Sequence, residues 1–386
     1  MEPEVEPSQF PSPTLQPASE IASAVVPPEP PEAPYRGLRW IFIGDDGLRA
    51  GWSVAIFFAL MIPFVFAFGT LFNKLHLTGG KGDFSAKTAF FGEGGAFLAM
   101  VLAAWIVSKI ERRKLFDYNL TGPHRVARFS GGLVAGFVAL SALISGLYAG
   151  GWLHFGPVAL SGTSILTNAA LWGAAFFLVG CVEEGVMRCF LLFTLARGIN
   201  FWWALGLVGL MCGDLMIRAK GNGVWGVYGL AILGLVPCVA LFVKNARGAG
   251  FWYATWVTST FFGCGHTGNN GENWIGIFAA GGIGAVFCVS VKVTGSAWWA
   301  IGCHAAWDWA ETYFYGTADS GMAAQGHLLT SAPAGAALWS GGADGPEGSL
   351  LVIGVVLLLL LAMLAVYGRR KPVVTFDAQA LERAAG

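Results

Sequence analysis

Ten times along this chain an apolar run reaches the ~17 to 25 residues that an α-helix needs to cross a bilayer. The runs are 51–72, 88–108, 129–150, 167–195, 201–217, 223–243, 251–267, 274–291, 296–315 and 349–367. Such a chain is expected to fold as an all-α, polytopic transmembrane helical bundle, multi-pass in the cell membrane with the lipid bilayer as its solvent. Only 12% of its residues are charged, against about 25% in soluble domains. Glycine is abundant, and "GLVAG" (132–136) and "GLYAG" (146–150) have the Gly-x-x-x-Gly spacing that lets membrane helices approach closely. The seven cysteines stand singly in apolar segments, which argues against a disulfide framework or a zinc cage. They read as small core hydrophobes. Net charge is zero and no basic patch offers a surface for nucleic acid.

The first 35 residues are of another material. They hold ten of the seventeen prolines, six glutamates and no basic residue, a composition that builds no core and is expected to be disordered. "RWIFIGDDGLRAGW" then suits an interfacial lead-in. Lys and Arg in short loops set orientation. "KIERRKLFDYNLTGPHRVAR" carries six of them and "GWLHFGPVALSGTS" none. With the basic tail 369–386, this places both termini in the cytoplasm, although Lys74, Lys81 and Lys87 in the first loop pull mildly the other way.

Three segments carry charge that a membrane helix does not hold without cause. "CVEEGVMRCF" contains Glu183, Glu184 and Arg188. Glu184 and Arg188 are i,i+4 neighbours and can pair, whereas Glu183 points about 100° away around the helix and has no local partner. "TFFGCGHTGNNGENW" contains His266, and "IGCHAAWDWAETYF" contains His304 and Asp308, one helical turn apart. That pair can hold a metal, orient a water, or satisfy itself. Carboxylate and imidazole together are enough for general-base attack of water on a carbonyl. No His-Glu-x-x-His and no Gly-x-Ser-x-Gly occurs, which excludes the zincin and serine-hydrolase routes.

Glu183-Glu184-x-x-x-Arg188, Phe262-x-x-x-His266 and His304-x-x-x-Asp308, in that order, resemble the CAAX prenyl protease and bacteriocin-processing family of intramembrane proteases. "GHTGNNGENWIGIF" and "VTGSAWWAIGCHAAWDW" are similar to the stretches around that family's second and third motifs. The resemblance spans roughly 165–316. It implies a core of about eight helices around an intramembrane active-site cavity, and endopeptidase chemistry on a peptide or protein substrate, membrane-anchored or lipidated substrates included. By the same resemblance Glu183 and His266 activate the water, His304 and Asp308 stabilise the oxyanion or bind metal, and Glu184 and Arg188 organise the site. One divalent ion such as zinc, held by Glu183, His266, His304 and Asp308, is an option the resemblance leaves open.

The domain order expected is a tail (1–35), N-terminal helices (36–164), a catalytic core (165–316) with an inserted helical pair (201–245), a loop (317–348), a last helix (349–368) and the basic tail (369–386). The inserted pair, about fifty residues, is one departure from the family pattern. Asp308 is the other, because Asn is common there. An ionised Asp cannot donate to an oxyanion, so it must be protonated, accept a hydrogen bond, or ligate a metal; this favours a metal in this chain, a choice the family itself leaves open. Two other readings are an immunity or scaffold protein of the same family, and a proton-coupled transporter relaying through Glu183, His266 and Asp308. The second calls for inverted repeats, and none is visible.

Overall fold

The computed structural model describes residues 39–44, 47–80, 82–218 and 223–368. The Pro-rich tail and the basic C-terminal tail lie outside these residues. Ten long helices account for most of the rest: α1 (Ala50–Lys74), α2 (Ala86–Ile110), α3 (Arg125–Ala149), α4 (Thr163–Gly198), α5 (Phe201–Arg218), α6 (Val224–Val243), α7 (Ala249–His266), α8 (Trp274–Thr294), α9 (Trp298–Asp308) and α10 (Leu351–Tyr367). The molecule is an all-α polytopic helical bundle. A small antiparallel pair, β1 (Leu153–Val158) and β2 (Leu329–Pro333), joins the loop after α3 to the loop before α10.

Six helices, α1 to α4, α6 and α8, are long and apolar enough to cross a membrane, and α5 and α10 are shorter apolar helices. Helix α7, at 18 residues, is long enough but not apolar enough, and α9 is only 11 residues long. The reason is their position: most of α7 and nearly all of α9 is buried against other helices, so they need no continuous lipid-facing surface and can carry polar side chains. Two helices also change pitch. Sequence predicts one continuous helix over 167–195, but α4 passes through a π-helical stretch at Gly185–Leu191, and α9 continues as another at Trp309–Tyr315. Such stretches concentrate at functional sites.

Close packing of α3 on α9 positions the site. A Cβ on Gly132 would stand 2.2 Å from the Trp299 carbonyl oxygen, and one on Gly136 2.1 Å from that of Cys303. From the other side, a Cβ on Gly302 would meet the Phe129 carbonyl at 2.2 Å. The first Gly-x-x-x-Gly pair thus brings two backbones together. The second does not: Gly146 faces the Leu351 side chain and Gly150 the Trp152 ring. At the opposite end of α2, Glu111 gathers Ser53 of α1, Tyr118 and Arg113 by hydrogen bonds and an ion pair. Helices α5 and α6, the pair that sequence reads as inserted, pack against α7 and α8.

Candidate active site

Helix α4 delivers Glu183 and Glu184 as neighbours about 100° apart around its axis, and the two meet different surroundings. The Glu183 side chain is 38% exposed and faces a cavity, while that of Glu184 is 0% exposed. Glu184 Oε1 accepts from Arg188 Nη1 at 3.1 Å and pairs with His304 Nδ1 at 2.8 Å. The Arg188 guanidinium is held between two rings, 4.6 Å from the centroid of Phe262 and 5.4 Å from that of Phe287. Its backbone carbonyl accepts from Asn119 Nδ2 at 2.7 Å. A buried arginine without its carboxylate would be strongly destabilising, so this unit is structural support as well as electrostatics.

That support aims His304. With Nδ1 committed to Glu184, Nε2 points toward Glu183 Oε2 (3.7 Å) and Asp308 Oδ2 (3.5 Å). A doubly protonated imidazole would have a donor for each side of this arrangement. His266, at the end of α7, places Nδ1 2.8 Å from the Phe262 carbonyl oxygen. A carbonyl only accepts, so Nδ1 carries the hydrogen and a neutral His266 presents Nε2 as an acceptor.

Glu183, His266, His304 and Asp308 line one cavity of about 570 Å³, walled by α2, α4, α7, α8, α9 and α10 and by the loop before α10. Glu184 and Arg188 lie behind its wall. All six residues singled out by sequence therefore fall in one place, in two layers. Their donor atoms do not gather into one ligand shell, however. Among the described residues, three potential ligating atoms come within 4.8 Å of one another at Glu311, Asp319 and Glu347, and at no set drawn from Glu183, His266, His304 and Asp308.

Several carboxylates in or beside the cavity belong to no motif. Glu93 of α2 lines it. The one signal for it was a charge in the apolar run "AFFGEGGAF". Asp319 and Glu347 line it from the loop before α10, Glu311 lies on the π-helical stretch, and Glu272 and Asp344 stand close by. Burial, then neighbouring carboxylates, pushes Glu347 up to about 8 and Glu272 up to about 9. Burial likewise raises Asp344 to about 6, with Asp319 adding to the effect and a hydrogen bond from Glu272 opposing it.

Residues 238–310 match the family model described as type II CAAX prenyl endopeptidase Rce1-like. This part of the chain is CAAX-protease-like. The CAAX-protease-like segment begins inside α6 and holds His266, His304 and Asp308; it stops short of Glu183, Glu184 and Arg188, which join it through the His304 contacts. No curated protein and no solved structure matches the chain.

Proposed function

We propose that the protein is an intramembrane endopeptidase of the CAAX-protease type, in which Glu183 and His266 activate water and His304 faces the developing oxyanion. The observation that carries this reading is the two-layer arrangement of His304. One nitrogen is fixed by the buried Glu184–Arg188 pair, and the other is turned into the cavity toward Glu183 and Asp308.

In this mechanism a water sits between Glu183 and His266. Glu183 takes its proton as the oxygen attacks the carbonyl carbon of the scissile peptide, and His266 Nε2 holds the remaining hydrogen in line. The oxyanion accepts from the Nε2–H of a protonated His304, while Asp308 keeps the ring in place. Collapse of the tetrahedral intermediate breaks the C–N bond, and Glu183 returns its proton to the leaving amine. The products are a carboxylic acid and an amine. Donors fixed in a poorly solvated cavity act more strongly than in water, and need no reorganisation as charge develops. A single ion would have to draw Glu183, His266, His304 and Asp308 together, since no three of their donor atoms lie within 4.8 Å of one another.

The test is cleavage of a quenched peptide by the full chain in detergent. Glu183→Gln is expected to lower turnover by about 10² to 10⁴, the range for loss of a general base, with an unchanged melting temperature. Wild-type turnover should survive removal of zinc by a strong chelator. Cleavage by Glu183→Gln at the wild-type rate would overturn the assignment. Reversible loss in the chelator would return the four residues to a metal-binding role.

A further inference from the structure

We propose that Glu311, Asp319 and Glu347 form a binding site for a hard divalent cation, with calcium as its probe, beside the hydrolytic residues and separate from them. One carboxylate oxygen from each lies within 4.8 Å of those from the other two. Calcium binds oxygen at about 2.3 to 2.6 Å, so two ligands on opposite sides of the ion stand about 4.6 to 5.2 Å apart. The three oxygens therefore already fit around one ion. All the donors are carboxylates, which suits calcium, magnesium or manganese rather than zinc.

A second observation points the same way. Glu311 is 0% exposed; its Oε2 accepts from Trp307 Nε1 at 3.1 Å, and its Oε1 has no hydrogen-bond partner. A carboxylate buried with a free oxygen is costly unless something positive meets it. None of the three forms an ion pair with Lys or Arg among the described residues, and the loops 267–273 and 316–350 contain neither residue type.

The donors are also held from behind, as metal ligands commonly are. Trp307 Nε1 donates to Glu347 Oε1 at 2.8 Å as well as to Glu311, and Thr312 Oγ1 donates to Asp319 Oδ2 at 2.7 Å. Asp319 and Glu347 line the cavity, which provides a route for the ion. The two lie near opposite ends of the loop before α10, and Glu311 is on the bundle. A cation here would clasp both ends of that loop over the cavity. This inference does not rest on the protein being a protease.

The indole of Trp307 touches two of the three ligands, so terbium bound there should emit when tryptophan is excited. In the detergent-solubilised full chain, sensitised emission should saturate with terbium, and calcium should displace it more effectively than zinc. Asp319→Asn and Glu347→Gln should each weaken terbium binding by at least about tenfold, the low end of what loss of a supporting group costs a metal site. Glu311→Gln should do the same, its amide oxygen still accepting from Trp307. Glu183→Gln should leave the affinity unchanged, which separates this site from the hydrolytic one. Calcium should raise the melting temperature of wild type and not of Glu347→Gln, because a ligand bound only to the folded state stabilises it. Absence of saturable emission in wild type, emission that Asp319→Asn and Glu347→Gln leave untouched, or emission abolished by Glu183→Gln would each overturn the proposal.

Discussion

Arg188 shows how little room the site has. A Cβ on Gly284 of α8 would stand 2.6 Å from Arg188 Nη2. Gly284→Ala should therefore push the guanidinium off Glu184, release His304 Nδ1, and act on catalysis through a residue that touches no substrate. The expected result is a fall in kcat of at least about tenfold with KM little changed, the pattern of an interaction made in the transition state. Gly282→Ala is the control, because its Cβ would meet only Val356 Cγ1, at 3.8 Å. Peptide turnover measured for both variants checks this. Sequence exposed the pairing of Glu184 with Arg188, since four residues on a helix make neighbours. It could not expose Gly284, almost a hundred positions away, or Phe287, and although Phe262 stands in the second motif, its contact with the arginine was not legible. Glu311, Asp319 and Glu347 were hidden for a related reason: acidic residues in a loop are ordinary, and only folding brings these beside one on a helix.

Among the elements, α3 and α9 depend on each other most visibly. With carbonyl oxygens 2.2 and 2.1 Å from where Cβ atoms would sit, Gly132→Ala or Gly136→Ala must force the helices apart. Overpacking of this kind costs about 1 to 3 kcal/mol, so the melting temperature should fall clearly. Gly146→Ala, which would meet only the Leu351 side chain at 3.1 Å, should cost less. The ten helices were legible because apolar runs of spanning length have few other fates. The two π-helical stretches were not, since hydrophobic periodicity does not distinguish a widened turn. The loop on the acidic side carries a pH dependence. In the folded chain Glu272 is raised to about 9 and Asp344 to about 6, so the folded state holds protons that the unfolded chain has already lost. The stability these two groups add is full below their ordinary values of 4.5 and 3.8, and is lost as pH rises to about 6 for Asp344 and to about 9 for Glu272. Melting curves across that range should show the decline, and Glu272→Gln should flatten its upper part.

At the scale of the whole molecule, the candidate site and much of the bulk belong to different helices. No residue of α5 or α6 lines the cavity among the described residues, and Asp214 of α5 is exposed. Asp214→Asn should leave turnover within about threefold of wild type, the scale of a surface change of under 1 kcal/mol. A hundredfold loss in the same peptide assay would place α5 in the catalytic machinery. Charge is also divided between the two ends of the bundle. Lys109, Arg112, Arg113, Lys114, Arg125, Arg197, Lys244 and Arg247 all lie at or near helix termini at one end, by the alternation of the helices. Glu272, Asp319, Asp344 and Glu347 lie at the other, together with the basic Lys74 and Lys87. The cavity reaches the acidic end, where Asn269, Asp319 and Glu347 line it.

The widened turns in α4 and α9 carry a consequence for how this chain can vary. Each begins immediately after acidic residues of the site, Glu184 in one case and Asp308 in the other. A π turn contains one residue more than the α turn it replaces. Deleting a single residue from Gly185–Leu191 or Trp309–Tyr315 would restore ordinary pitch and could leave every charged side chain in place. In a regular helix one added residue would turn the two halves by about 100° relative to each other; the wide turn absorbs it, so the flanking segments keep their facing. The cost of losing that residue therefore falls on the wide turn itself and on the acid beside it, Glu184 or Asp308, rather than on the facing of the helices on either side.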